Sequence, residues 1–207
     1  MQEAQKGRRW GKTGRSGHDV AFSRVRSSGR AEPSSASAGP AGRTDSVPGS
    51  QGSVFLPDAA ATDRFGTALA HALNPGDTVL LAGQIGAGKT CIARAAISAL
   101  HFRMGQPEPE VPSPTFTLVQ AYELPGIQVW HADLYRLAEA SEVAELGLQE
   151  AFGNEIVLVE WPDRLDVMPD DALLLDIEVL DRGRRVTLRS ASDRWQNCVS
   201  MIGDIDA

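Results

Sequence analysis

The stretch Gly83-Gln84-Ile85-Gly86-Ala87-Gly88-Lys89-Thr90 fits the pattern G-x-x-x-x-G-K-[ST], and few folds can carry that pattern. Its glycines let the backbone bend so that consecutive N–H groups point inward and cradle an anion. The helix that follows presents unpaired N–H groups and the positive end of its dipole to the same anion. The flanks agree. Asp77-Thr78-Val79-Leu80-Leu81-Ala82 is a short apolar run, read as a buried strand, and Cys91 to Leu100 reads as a helix with Ile92, Ala96 and Ala99 at core spacing. Strand, loop and helix in that order make a phosphate-binding P-loop. Lys89 should reach the β- and γ-phosphates, and the Thr90 hydroxyl should ligate Mg²⁺. Lys89 is the only lysine after Lys12, and every other Lys/Arg position downstream is arginine. This implies a position that accepts no substitute.

A chain of 207 residues that is 42% hydrophobic can bury one real core. No apolar run reaches membrane-spanning length and no hydrophobic signal core follows Met1. Cys91 and Cys198 lie far apart with no C-x-x-C, which fits a reducing cytosol better than a disulfide framework or zinc site. Cys91 reads as a small buried helix residue. Charge is uneven: residues 1–50 hold nine Lys+Arg against four Asp+Glu, and the remainder eleven against twenty-three. An acidic body does not grip nucleic acid through its general surface, so RNA contact should be local or made by a partner.

Residues 1–50 are rich in Ser, Gly, Ala and Arg, with Pro33, Pro40 and Pro48 and no hydrophobic period. Such a segment buries too little apolar surface to offset its ordering entropy and is read as a disordered basic tail. Three origins stay open: an RNA-binding arm, an organelle transit peptide, or a non-native upstream start. The folded domain, residues 51–207, should begin with a strand at Val54-Phe55-Leu56. A helix capped by Asp58 or Thr62 follows and runs to Leu73. After the P-loop helix come a proline-rich loop from Gly105 to Pro114, a strand from Thr117 to Tyr122 turned at Pro125-Gly126, and a strand Val129–Ala132 ending at Asp133. Leu134 to Phe152 reads as a helix in two pieces broken near Gly147. Ile156–Val159 is a buried strand ending at Glu160, and Leu173–Val179 and Arg184–Arg189 form a hairpin. The layout is α/β, and ligands of open α/β sheets bind beyond the carboxyl ends of the strands. Asp133 and Glu160 should therefore stand at the P-loop's edge.

Each of these acids is a candidate for metal or water work, or else a strand-terminal cap for the next helix. Pro114 holds Ser113 extended, so Ser113-Pro114-Thr115-Phe116 reads as a stiff loop presenting hydroxyls. His131 reads more readily as a packed strand histidine than as a catalytic proton shuttle, and Trp130 and Trp195 read as core or interface.

GQIGAGKT, SPTF followed by TLVQAYE, HADLYRL, EVAELGLQEAF and LVEWP occur in one order over roughly residues 54–190. Together they resemble the TsaE (YjeE) family, small P-loop ATPases of bacterial tRNA threonylcarbamoyladenosine biosynthesis. The resemblance implies a single-domain α/β P-loop NTPase-like fold with a mixed central sheet flanked by helices. It implies slow hydrolysis of ATP with Mg²⁺ in the cytoplasm, and association with a TsaB–TsaD heterodimer that acts on tRNA and is reset by that hydrolysis. On matching positions it makes Thr115 a switch-like threonine and Asp133 a metal-associated acid. Glu160 acts on metal or water, and Trp161 flanks nucleotide or partner. Two positions depart: Gln84 stands where the family usually has Asp, and Cys91 where it usually has a second Thr. The phosphate cradle survives both changes, since it rests on backbone N–H groups and Lys89, while the hydrolysis rate is exposed to them. The rival readings are a nucleotide-gated scaffold without significant hydrolysis and a small-molecule P-loop kinase. The kinase would need an arginine-bearing lid, yet only Arg103 lies between the P-loop helix and Asp133.

Overall fold

Apolar runs that end in Gly83, Asp133 and Glu160 become neighbouring parallel strands, and this register builds the site. A computed structural model describes residues 50–198. The reading of residues 1–50 as a tail falls outside them, apart from Ser50. The elements are β1 (Ser50–Leu56), α1 (Ala59–Ala72), β2 (Thr78–Gly83), α2 (Lys89–Arg103), β3 (Val119–Leu124), β4 (Ile127–Asp133), α3 (Ala140–Ala144), α4 (Leu148–Ala151), β5 (Ile156–Glu160), β6 (Leu173–Val179) and β7 (Arg184–Ser190). Among the described residues they form one seven-stranded sheet in the order β1-β7-β6-β2-β5-β4-β3. The middle four strands are parallel, and the outer pairings β1–β7, β6–β7 and β3–β4 are antiparallel. The chain therefore has the α/β fold with a mixed central sheet flanked by helices.

β5 is buried at every position and β2 at its first four, as continuous apolar runs in a sheet covered on both faces should be. One face carries α1 and α2 over Leu81, Leu158, Leu175 and Leu188, and the other packs Leu134, Leu148 and Ala151 over Leu80, Val157 and Val159. Asp58 caps α1 by accepting the Ala61 N–H at 2.8 Å, whereas the Thr62 hydroxyl donates back to the Asp58 carbonyl at 3.1 Å. Between Asp58 and Thr62, Asp58 is thus the cap. Helices α1 and α2 meet at Gly66, where a Cβ would stand 2.6 Å from the Ala95 Cβ. Arg103, at the end of α2, donates to the Ala70 and Leu73 carbonyls at 2.6 and 3.2 Å, closing the C-terminus of α1.

Two stretches differ from the sequence reading. Residues 134–139 are not helical, because the Asp133 carboxylate accepts the Tyr135 N–H at 3.0 Å and sets a turn in place of a helical turn. Helix begins only at Ala140, behind a capping box of Glu139 and Glu142, and Gly147 at φ 74° separates α3 from α4. The strand expected from Thr117 starts at Val119. Residues 114–117 form a turn in which the Leu118 N–H donates to the Pro114 carbonyl, with Leu118 at φ 65°.

Candidate functional site

The octamer forms a loop between β2 and α2, entered at Gly83 and left at Gly88, the N-cap of α2. Gly83 has φ 140°, and a Cβ there would lie 2.5 Å from the Ile177 carbonyl oxygen of β6. Gly88 has φ 109°, a left-handed conformation that side chains avoid. The loop borders a cleft of about 330 Å³ to which Ile85, Gly86, Gly88, Lys89, Thr90 and Cys91 contribute. Gly83, Gln84 and Ala87 act from behind it through their backbone. The Gln84 side chain is exposed and not part of the cleft wall. Cys91, expected to be buried, is exposed, because its side of the first turn of α2 faces the cleft and not the sheet. Cys198 is the buried thiol, and burial pushes it up to about 11.

Lys89 is only 4% exposed. Its ammonium donates to the Gly83 and Gln84 carbonyls at 2.7 and 3.0 Å, and lies 4.0 Å from the centre of the Trp161 ring. Burial holds its pKa below the ordinary lysine range, against the pull of Glu160, Asp133 and Asp163. The Thr90 hydroxyl donates to Glu160, 2.8 Å from Oε1 and 3.0 Å from Oε2. Glu160 is the last residue of β5 and pairs in register with Leu81 of β2 and Asp133 of β4. Parallel pairing thus brings both acids to the P-loop's edge. Asp133 is turned to the other loop: its Oδ2 accepts the Thr115 hydroxyl at 2.6 Å, and Ser113 and Thr115 share a 2.9 Å hydrogen bond. Lys89, Thr90, Thr115, Asp133, Glu160 and Trp161 all border the one cleft. Trp161 sits at φ 61° directly before Pro162, a conformation disfavoured for a large residue and doubly so before proline. Strain of this kind, next to Glu160 and with the ring over Lys89, marks a site that its surroundings hold in place.

Three further residues belong here. Tyr135 packs against Trp161 with ring centres 4.9 Å apart. His131 lies 2.9 Å from Glu160 Oε1 and is a partner of the acid, not simply a packed strand residue. Arg184, at the start of β7, donates through Nε to the Ala87 carbonyl at 2.6 Å and through Nη2 to the Gly86 carbonyl at 3.3 Å. It braces the P-loop from ninety-odd residues away and also borders the cleft. Arg184→Ala should leave those carbonyls to water. At about 1 kcal/mol for the bracing bonds, local opening of the loop should rise roughly fivefold and amide exchange at residues 86–88 should quicken. Unchanged exchange there would show that the brace carries no weight.

Residues 56–187 match the family model described as Threonylcarbamoyl adenosine biosynthesis protein TsaE. The chain belongs to the TsaE family. Curated TsaE relatives, each described as a tRNA threonylcarbamoyladenosine biosynthesis protein, agree. One from Rickettsia felis is 38% identical over 126 residues, covering 60% of this chain and 71% of its own. One from Haemophilus influenzae is 31% identical over 157 residues, covering 72% and 96%. One from Synechocystis is 39% identical over 120 residues, covering 56% and 73%. Among solved structures, YdiB from Bacillus subtilis superposes with a TM-score of 0.58 at 24% identity, over 77% of this chain and 98% of that one. That likeness concerns the fold alone. No helix among the described residues is long and apolar enough to cross a membrane.

Proposed function

We propose that the chain binds and slowly hydrolyses Mg-ATP as an accessory to N6-threonylcarbamoyladenosine formation in tRNA, acting on a complex of TsaB and TsaD homologues in the cytoplasm. The observation that carries the proposal is the cluster of Lys89, Thr90 and Glu160 at the mouth of a left-handed glycine loop. Family membership carries the pathway.

A hydroxyl and a carboxylate beside a helix N-terminus fit magnesium that keeps phosphate and water ligands, and the ammonium fits the phosphates themselves. Among the described residues, no group of three or more His, Cys, Asp or Glu side chains is placed to cage a metal on its own. Thr90 and Glu160 would hold the ion, with Asp133 behind Thr115. When bound, the ion supplies neutralisation of phosphate charge. The chain's own residues do the rest. Backbone N–H groups of residues 84–90 hold the phosphates. Lys89 leaves the Gly83 and Gln84 carbonyls to grip them, and Glu160 orients the attacking water. The Ser113–Thr115 loop, fastened to Asp133, closes the phosphate end, and Trp161 with Tyr135 shields it from bulk water.

The depressed pKa of Lys89 gives this reading a pH signature. A bound polyphosphate restores countercharge and draws a proton onto the amine, so at alkaline pH binding should take up protons and affinity should fall as pH rises. Calorimetry in buffers of different ionisation heat reads that uptake, and its absence at alkaline pH would detach Lys89 from the phosphates. The pathway assignment is tested by co-purification with TsaB and TsaD homologues with and without ATP. Association that depends on nucleotide is expected, and failure to associate in either condition would remove the complex from the proposal. Association with ATP but no phosphate release would favour a nucleotide-gated scaffold.

A further inference from the structure

Glu160 is 2% exposed, and a buried carboxylate must be fixed by donors. Thr90 spans both of its oxygens and so selects neither. His131 touches Oε1 alone, at 2.9 Å through Nε2. The placement follows from the sheet. His131 pairs in register with Leu158, so Glu160, two residues further along β5, projects from the same face. His131 is wholly buried, and its Nδ1 has no hydrogen-bond partner among the described residues. A carboxylate only accepts, so Nε2 carries the hydrogen of this contact.

We propose that His131 is the positioning residue of Glu160: by holding Oε1 it turns Oε2 toward the phosphate end of the cleft. The inference rests on the reading of Glu160 as the acid at metal and water. An apolar residue in place of His131 leaves Glu160 to Thr90 alone, free to rotate between two equivalent contacts. Outer partners that orient a working ligand commonly matter about tenfold to a hundredfold.

The full chain, His131→Phe and His131→Gln are compared. Phenylalanine keeps the bulk without the donor, and glutamine can place an amide N–H near the imidazole Nε2. Turnover should fall about tenfold to a hundredfold in His131→Phe with the Mg-ATP dissociation constant within about twofold, and should largely return in His131→Gln. Nitrogen-15 NMR of the nucleotide-free chain should show the hydrogen on Nε2 of His131, with a hydrogen-bonded resonance that moves in Glu160→Gln. An Nε2 without hydrogen, full turnover in His131→Phe, or glutamine no better than phenylalanine would each overturn the proposal. If the unmodified chain binds no Mg-ATP, the site reading itself fails. The NMR signature, recorded without nucleotide, tells that failure apart from a wrong pairing of His131 with Glu160.

Discussion

Lys89→Met should cost the chain its Mg-ATP affinity while leaving its fold intact. Lys89 is 4% exposed, so little dehydration would accompany a phosphate contact. Removing one member of such a buried charged contact costs about 2–5 kcal/mol, roughly thirtyfold to several thousandfold in affinity. Stability should behave differently. Among the described residues the amine donates to the Gly83 and Gln84 carbonyls, on partly or fully exposed residues that water can serve, and its other contact is the Trp161 ring. Burial also opposes its charge. The melting temperature should therefore stay within about 4 °C, the span of 1 kcal/mol for a domain of this size. A variant that binds Mg-ATP normally contradicts the phosphate role, and one that unfolds would make Lys89 a structural residue first.

Glu160→Gln should do the opposite: binding persists and turnover collapses. The amide keeps the shape of the carboxylate and can still accept from Thr90 through its oxygen. It loses the charge that would hold metal and activate water. General-base contributions run from about a hundredfold to ten-thousandfold, so phosphate release should fall by about that much while calorimetric affinity moves little. Equal losses in affinity and turnover would mean that Glu160 acts on bound nucleotide in the ground state. Unchanged turnover would pass the role to Asp133, whose carboxylate is the other acid bordering the cleft.

Much of this site was legible in the sequence because its spacing is local. The octamer, the strand before it and the helix after it lie within thirty residues, and each obeys its own period. The acids at 133 and 160 were legible as well, since buried apolar runs end there and parallel strands present those ends together. Other parts needed the fold. The pairing of His131 with Glu160 depends on the β4–β5 register, although the i, i+2 spacing of His131 and Asp133 already placed both on one face. Arg184 left no signal, because its partners are backbone carbonyls of a loop ninety-odd residues earlier. Tyr135 was hidden inside a segment read as helix. Leu134, Leu137, Val143 and Leu148 are indeed buried, which is what the apolar pattern recorded. That pattern could not register the Asp133 side chain capturing the Tyr135 N–H. The Gln84 side chain is exposed and does not line the cleft.

The glycine loop and its lysine are proposed to hold a nucleoside triphosphate. Isothermal titration of the full chain with Mg-ATP tests it most directly. A saturable one-to-one heat is expected that disappears in Lys89→Met and persists in Glu160→Gln. A flat titration of the unmodified chain at millimolar nucleotide would contradict it.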